Sequence, residues 1–413
     1  MEHPEKVVIT GIGVLSPFGV GAETFWNSLL QGLCGIRPVT RFPVQSEVYP
    51  CKIAAEVPAF DPEPWRFTED PAWRGRYAQL ALPALGMALD DAELARGDEA
   101  LRTAGLFMGS AQATGDSLEQ WVMAWLKEKG AELPGDILAQ VDPHAVTAAI
   151  ARNFGIKGQA ISLSTSCASG VLALMLCEQK IRSGRLPLGV VVGADAISPF
   201  VYFGEGLTGE LSRRNEDPEH ASRPFDRDQD GYVIGEGAVA LVVESEAHAL
   251  AREARIYAEL GPMVSTTDAT SFRYIDVEGR QMSRGMELAL QAAPALAVDY
   301  ISAHGPSIKA LDQAESVALR RAFGPRIDRI PVTSIKGATG NPSAAGGMLQ
   351  IVSALLSLRD GAIPPTLNLQ NPLPGCDLDY VKTSPRRQEI KRVFVSAHGG
   401  GGVNAALTVQ GYA

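Results

Sequence analysis

Apolar residues recur along this chain in two alternating rhythms. Short, nearly continuous apolar runs bounded by Gly, Pro and polar residues predict strands: "KVVITGIGVLSP" from Lys6, "GLFMGSA" from Gly105, "QAISLST" from Gln159 and "PLGVVVGAD" from Pro187. The last is apolar on both faces, as in a covered parallel sheet. Between them run stretches with helical spacing. "TFWNSLLQGLCG" reads as a short helix stopped by Gly, and "RYAQLALPALGMALDDAEL" as a longer one. Leu172, Met175, Leu176 and Ile181 keep helical spacing up to Gly184. The second part of the chain repeats this grammar. "VDYISAHG" is a strand ending in a loop, "ALDQAESVALRRAFG" a helix ended by Gly324, and "RIPVTSIKG" a strand. "PSAAGGMLQIVSALLSLRDG" is a long helix, and "RVFVSAHGGGGVNAALTVQG" reads as strand, glycine turn, strand. The pattern predicts an α/β protein of two halves, residues 1–255 and 256–413.

Composition narrows the class. The 413 residues are 46% hydrophobic, enough for one or two sizeable cores. A net charge of −10 argues against a nucleic-acid binder, which usually carries a basic face. No apolar run approaches the ~18 residues of a membrane span, and "MEHPEKVVITGIGVLSP" carries acids early and no signal-peptide core. Five scattered cysteines, Cys34, Cys51, Cys167, Cys177 and Cys376, suit neither a disulfide framework nor a zinc site, and fit the cytoplasm. No metal is expected. "DRDQDGYVIGE" places Asp226, Asp228, Asp230 and Gly231 as a calcium loop would, but Glu236 falls one position short of the bidentate acid. A turn held by Asp side chains is the better reading.

The candidate chemistry centres on "STSCASG". Here a strand turns sharply into a helix, and Cys167 stands at the turn among small neighbours. The free N–H groups and dipole of a helix N-terminus should lower a thiol pKa there. A structural buried cysteine is the plain alternative. A nucleophilic Cys needs a His partner. Of six histidines, His304 in "SAHGPSIKALDQAES" and His398 in "SAHGGGG" end predicted strands, where sites of open α/β sheets gather. The other four lie in polar or helical contexts.

These motifs, in this order, resemble the elongating β-ketoacyl-[acyl-carrier-protein] synthases of the thiolase-like superfamily. The resemblance runs over nearly the whole chain, through "VVITGIGVLSPFGVGAETFWNSLLQGLCGIRPVTRFP", "STSCASG", "SRPFDRDQDGYVIGEGA", "AHGPSIKALDQAE", "SIKGATGNPSAAGG" and "GGGGVNAAL". It implies duplicated βαβαβαββ halves in a five-layer α-β-α-β-α sandwich. It implies no bound cofactor, with substrates presented on the 4'-phosphopantetheine arm of acyl carrier protein. The partners implied are that carrier and a second ketosynthase-like subunit, identical or not. Cys167 would take the acyl chain, and His304 would support decarboxylation of a malonyl unit and hold the enolate. The backbone N–H groups of Cys167 and Gly400 would form the oxyanion hole. Lys336 and Glu315 would orient the site as an ion pair, and His398, Ser307 and Thr339 would line the substrate pocket.

Five positions depart from the family. Asn341 stands where it carries a second catalytic His, and Gly400 where it carries a bulky Phe. Pro306 and Ile308 replace two Thr, and Gln350 replaces an acid. Asn341–Pro342 reads as a helix N-cap with Pro at the first helical position. Its amide would also donate to the malonyl thioester carbonyl, as in related thiolase-fold enzymes that use Cys, His and Asn together. Gly400 would widen the pocket, with His398 filling part of the space. Together these changes point to a specialised synthase, as in polyketide or polyene assembly. Three rivals stand beside this reading: a non-elongating acyltransferase, a thiolase and a chain-length partner subunit. Thiolases need a second Cys in the C-terminal glycine loop, which "AHGGGGVN" lacks. Chain-length partners usually lack the nucleophile. Arg74, Arg76, Arg213 and Arg214 are the candidate basic residues for docking an acidic carrier protein.

Overall fold

The first apolar run becomes strand β1 (Val7–Ser16), buried along its whole length. Its glycines serve close packing: a Cβ at Gly13 would sit 1.9 Å from the Ala84 carbonyl of helix α1 (Arg76–Asp91). The computed structural model describes residues 5–44, 49–127, 136–271, 275–292 and 297–412. The first half continues through β2 (Gly105–Gly109), β3 (Ala160–Leu163), α2 (Ser169–Arg182), β4 (Leu188–Asp195), α3 (Pro199–Leu207) and β5 (Gly237–Ser245). The second contains β6 (Ala258–Thr267), α4 (Arg280–Gln291), β7 (Tyr300–Ser302), α5 (Lys309–Phe323), β8 (Val332–Thr333), α6 (Ala344–Asp360), β9 (Arg392–Gly399) and β10 (Val403–Gln410).

These strands lie in the order β8-β7-β9-β10-β6-β1-β5-β4-β2-β3. Each half therefore places its third, second, fourth, fifth and first strands side by side. In each, the first three of these neighbours are parallel and the last two pairings antiparallel. This is the expected duplication. The halves join where Val7–Ile9 of β1 pair with Ala258–Leu260 of β6.

Helices α2 and α6 form the central layer. Val171 and Leu174 of α2 and Met348, Leu349 and Val352 of α6 share one core with Val239 and Leu241 of β5 and Val393 and Val395 of β9. Helix α1 covers the outer face of the first half, and α4 and α5 that of the second, each over its own apolar cluster. The result is the five-layer sandwich. The N-termini of α2 and α6 nearly touch. A Cβ at Gly170 would lie 2.5 Å from the Ala344 carbonyl, so only glycine permits the approach. That contact brings together the loop before each helix, one carrying Cys167 and the other Asn341. Among the described residues, no helix is long and apolar enough to cross a membrane.

Candidate active site

Ser166 has φ +56°, in the left-handed region, and this turn sets half-buried Cys167 just ahead of α2. Burial pushes the Cys167 thiol up from its ordinary value. The Ser166 hydroxyl and the Lys336 ammonium pull it down, but not far enough. The direction is opposite to that expected of a helix N-terminus: desolvation outweighs what Ser166 and Lys336 supply. Cys167 rests as a thiol and must lose its proton during reaction.

Asn341 faces it. The Asn341 amide nitrogen lies 3.9 Å from Cys167 Sγ, and its Oδ1 is buried with no partner among the described residues. The backbone of Asn341 is pinned on both sides, donating to Val233 O at 2.8 Å and accepting from Gly235 N at 3.0 Å. The expected N-cap role is not realised. Helix α6 begins at Ala344, after Ser343 with φ +44°, and its first free N–H is taken by Asp195 Oδ2 at 2.8 Å. Asp195 ends β4, almost fully buried, and also accepts from Ser110 Oγ and the backbone N–H groups of Ala111 and Gln112. With the cap supplied from β4, the Asn341 side chain is left to face the thiol. Asp195 was missed in the sequence, although an acid closing a wholly apolar strand was a usable signal.

His304 follows β7 and is almost fully buried. Its Nδ1 receives two donors, Lys336 Nζ at 3.1 Å and His398 N at 3.3 Å. The ring proton therefore sits on Nε2. Burial, then the charges of Lys336 and His398, hold the His304 pKa well below its ordinary value, so the ring is neutral. Lys336 Nζ also donates to His304 O at 2.5 Å and to Gln350 Oε1 at 3.3 Å. Burial lowers the Lys336 pKa to about 8, against the opposing pull of Glu315.

Lys336 and Glu315 do not form the expected ion pair. Glu315 accepts instead from His304 N and Gly305 N, both at 2.8 Å, and from Ser396 Oγ at 2.5 Å. Its Oε1 lies 3.5 Å from His398 Nε2. Burial alone would raise the Glu315 pKa, but the bonds from His398, Ser396 and Gly305 prevail and lower it. The backbone of His304 thus intervenes between the two charges. Gln350, which replaces an acid, donates to three carbonyls, Ser302, Ala303 and Ser396. An amide suits that ring of acceptors, and a carboxylate would not.

The three expected pocket residues have other partners here. His398 does not fill the space beside Gly400. Its ring is buried edge-on against His304, with Nδ1 2.8 Å from Asn404 Oδ1, and nothing of it lies within 4 Å of a Cβ built on Gly400. The Ser307 hydroxyl accepts from Arg223 N and donates to Gly231 O, tying loops together. The Thr339 hydroxyl faces the carbonyls of Ile335 and Gly340. The glycine loop does approach the nucleophile: a Cβ on Gly399 would stand 3.2 Å from Cys167 N. In this state, however, Gly400 N donates to Ser166 Oγ at 3.0 Å. A cavity of about 900 Å³ opens elsewhere, lined by Cys34, Arg37, Arg41 and His220, and holds none of the expected catalytic residues. The Asp-rich turn is held by its side chains: Asp226 accepts from Asp228 N, Gln370 N and Asn371 N, and Asp230 from Ser212 and Arg213.

Cys167 and Asn341 thus face one another on loops from the two halves of a duplicated fold, and Lys336, whose charge acts on the Cys167 thiol, bonds His304. Residues 4–249 match the profile of the beta-ketoacyl synthase N-terminal domain, and residues 257–370 that of its C-terminal domain. The chain belongs to the β-ketoacyl synthase family. This synthase is 33% identical to 3-oxoacyl-[acyl-carrier-protein] synthase 2 of Coxiella burnetii, over 98% of each chain. It is 34% identical to the tetracenomycin polyketide synthase ketoacyl synthase alpha subunit of Streptomyces glaucescens, over 98% of this chain and 97% of that one. The ishigamide ketosynthase/chain length factor superposes with a TM-score of 0.92 at 30% identity, each chain covered completely. A type II ketosynthase solved with its acyl-carrier protein and bound to the hexaketide superposes at 0.90 and 29% identity, again over both whole chains. The synthase is an acyltransferase-type condensing enzyme of the thiolase fold.

Proposed function

We propose that this synthase joins a Cys167-bound acyl chain to a malonyl unit by decarboxylative Claisen condensation, both delivered by acyl carrier protein in a polyketide-type pathway. The halves 1–255 and 256–413 divide the work, the first bringing the nucleophile and the second the His, Lys and Asn loops. The Cys167 sulfur attacks the carrier thioester, its C–S bond to pantetheine breaks, and the thiol proton leaves with the departing sulfur. The malonyl carrier then binds. Its C–CO₂ bond breaks, the electron pair becomes an enolate, and the enolate carbon attacks the acyl carbonyl. The Cys167–carbon bond breaks and the sulfur recovers a proton. The observation that carries this reading is the His304 tautomer: two donors fill Nδ1, so Nε2–H is fixed as a hydrogen-bond donor for the enolate oxygen. Asn341 is the second donor. The Cys167 and Gly400 N–H groups serve the tetrahedral oxyanion once Ser166 releases Gly400.

His304→Ala should still acylate at Cys167 but lose malonyl-dependent CO₂ release by about 10²-fold or more, the usual cost of one such donor. Acylation followed by undiminished CO₂ release in that variant would remove His304 from the role. A second reading rests on Asn341, which cannot exchange a proton as His does. Under it the protein passes acyl chains between carriers without elongation, and the unaltered protein releases no CO₂ with any malonyl carrier.

A further inference from the structure

One polar pair near Cys167 has no part in the chemistry above. Tyr232 follows Gly231, whose carbonyl accepts from Ser307 of the His304 loop, and precedes Val233, whose carbonyl accepts from Asn341. The segment Gly231–Val233 therefore spans the two loops that carry His304 and Asn341. The Tyr232 ring is buried, and its hydroxyl donates to Glu205 Oε2 of α3 at 2.6 Å. Glu205 is half-buried, and its Oε1 accepts from none of the described residues. The negative charge of Glu205 helps to raise the Cys167 thiol. Burial and that same carboxylate push the Tyr232 hydroxyl well above its ordinary value, so it stays a donor. Gly400, beside Ser166 in the nucleophile turn, offers no apolar bulk.

We propose that Glu205 and Tyr232 form a specificity pair that favours acyl chains bearing a hydrogen-bond donor near the thioester, such as a hydroxyl or an enol, over plain alkyl chains. The proposal rests on the ketosynthase reading and names the substrate class of that site. A carboxylate oxygen without a partner is desolvated at a cost when an alkyl chain packs on it. A hydroxyl or enol donor satisfies it with a charge-assisted bond.

The test is the rate of Cys167 acylation by 3-hydroxyoctanoyl and octanoyl groups carried on pantetheine, followed by intact mass spectrometry. The unaltered protein should take the hydroxy chain at least about tenfold faster, the worth of one bond to a charged group. Glu205→Leu should abolish or invert that ratio, and Glu205→Gln, which keeps size and shape, should reduce it. Comparable melting temperatures for these variants would show that folding is unaffected. A plain alkyl chain taken as fast by the unaltered protein overturns the proposal. So does an equal slowing of both chains by Glu205→Leu, which would assign the pair to the pantetheine arm. Failure of both chains to acylate Cys167 overturns the ketosynthase reading as well, and is a distinct result.

Discussion

Lys336 is a cation held almost wholly away from water, and it ties the site's chemistry to pH. Its pKa of about 8 predicts that CO₂ release by the acylated protein falls as pH rises through that value, when His304 Nδ1 loses its charged donor. The effect on stability has the opposite sign. The folded pKa lies below the unfolded one, so the unfolded chain binds more protons between about 8 and the ordinary lysine value. This residue's contribution to stability therefore rises with pH across that window. A CO₂-release profile without a descending limb near pH 8 would contradict the assignment. Asn341 allows a second test at this scale. It caps no helix and its Oδ1 has no partner among the described residues, so Asn341→Ala should change stability by less than about 1 kcal/mol while abolishing CO₂ release. A large loss of melting temperature would restore the structural role. Cys167 and His304 were legible because each stands where a strand gives way to a loop. The capping role expected of Asn341 failed because the acceptor that caps α6 comes from Asp195, nearly 150 positions away (|i−j| = 149). No local pattern encodes that partner.

Among elements, β3 is the exposed end of the sheet. Its four residues are all half-buried, and β2 is its one neighbour in the strand order. Gln159 O and Leu163 O accept from Leu106 N and Ser110 N of the β2 side, so by alternation the N–H and C=O of Ser162 point to the free edge. An open edge is a template for a second chain. Ser162→Pro removes one outward N–H and none of the inner ladder, together with the Ser162 hydroxyl's bonds to Thr147 and His144, which Ser162→Ala removes alone. Pairing through this edge, with itself or with a ketosynthase-like partner, predicts that Ser162→Pro sediments as single chains while melting with Ser162→Ala, which should still pair. Pairing unchanged in that variant would place the interface elsewhere. Strand and helix identities were readable from periodicity, as "PLGVVVGAD" shows by becoming the central β4. The strand order was not, because apart from the β9–β10 hairpin the pairings that define it are long-range.

At the scale of the whole molecule, an acidic protein must attract acidic carriers through local charge. Of the four arginines considered, Arg76 is committed to buried Glu236 at 2.7 Å, Arg74 lies 3.4 Å from Asp136, and Arg214 donates to Asp228 O at 2.7 Å. Arg213 is exposed. Arg213→Glu should slow acylation from a carrier-bound thioester and flatten its salt dependence, but leave acylation by a small thioester unchanged. Equal rates on both donors would take Arg213 out of the docking face. Whether the chain accepted by Cys167 is extended can be read in a single-turnover intact-mass experiment. Protein acylated at Cys167 is mixed with malonyl carrier protein, and both masses are read from one sample. The acyl mass should leave Cys167 as a β-ketoacyl mass appears on the carrier. An acyl group that stays on Cys167, or reaches a carrier without being lengthened, would contradict it.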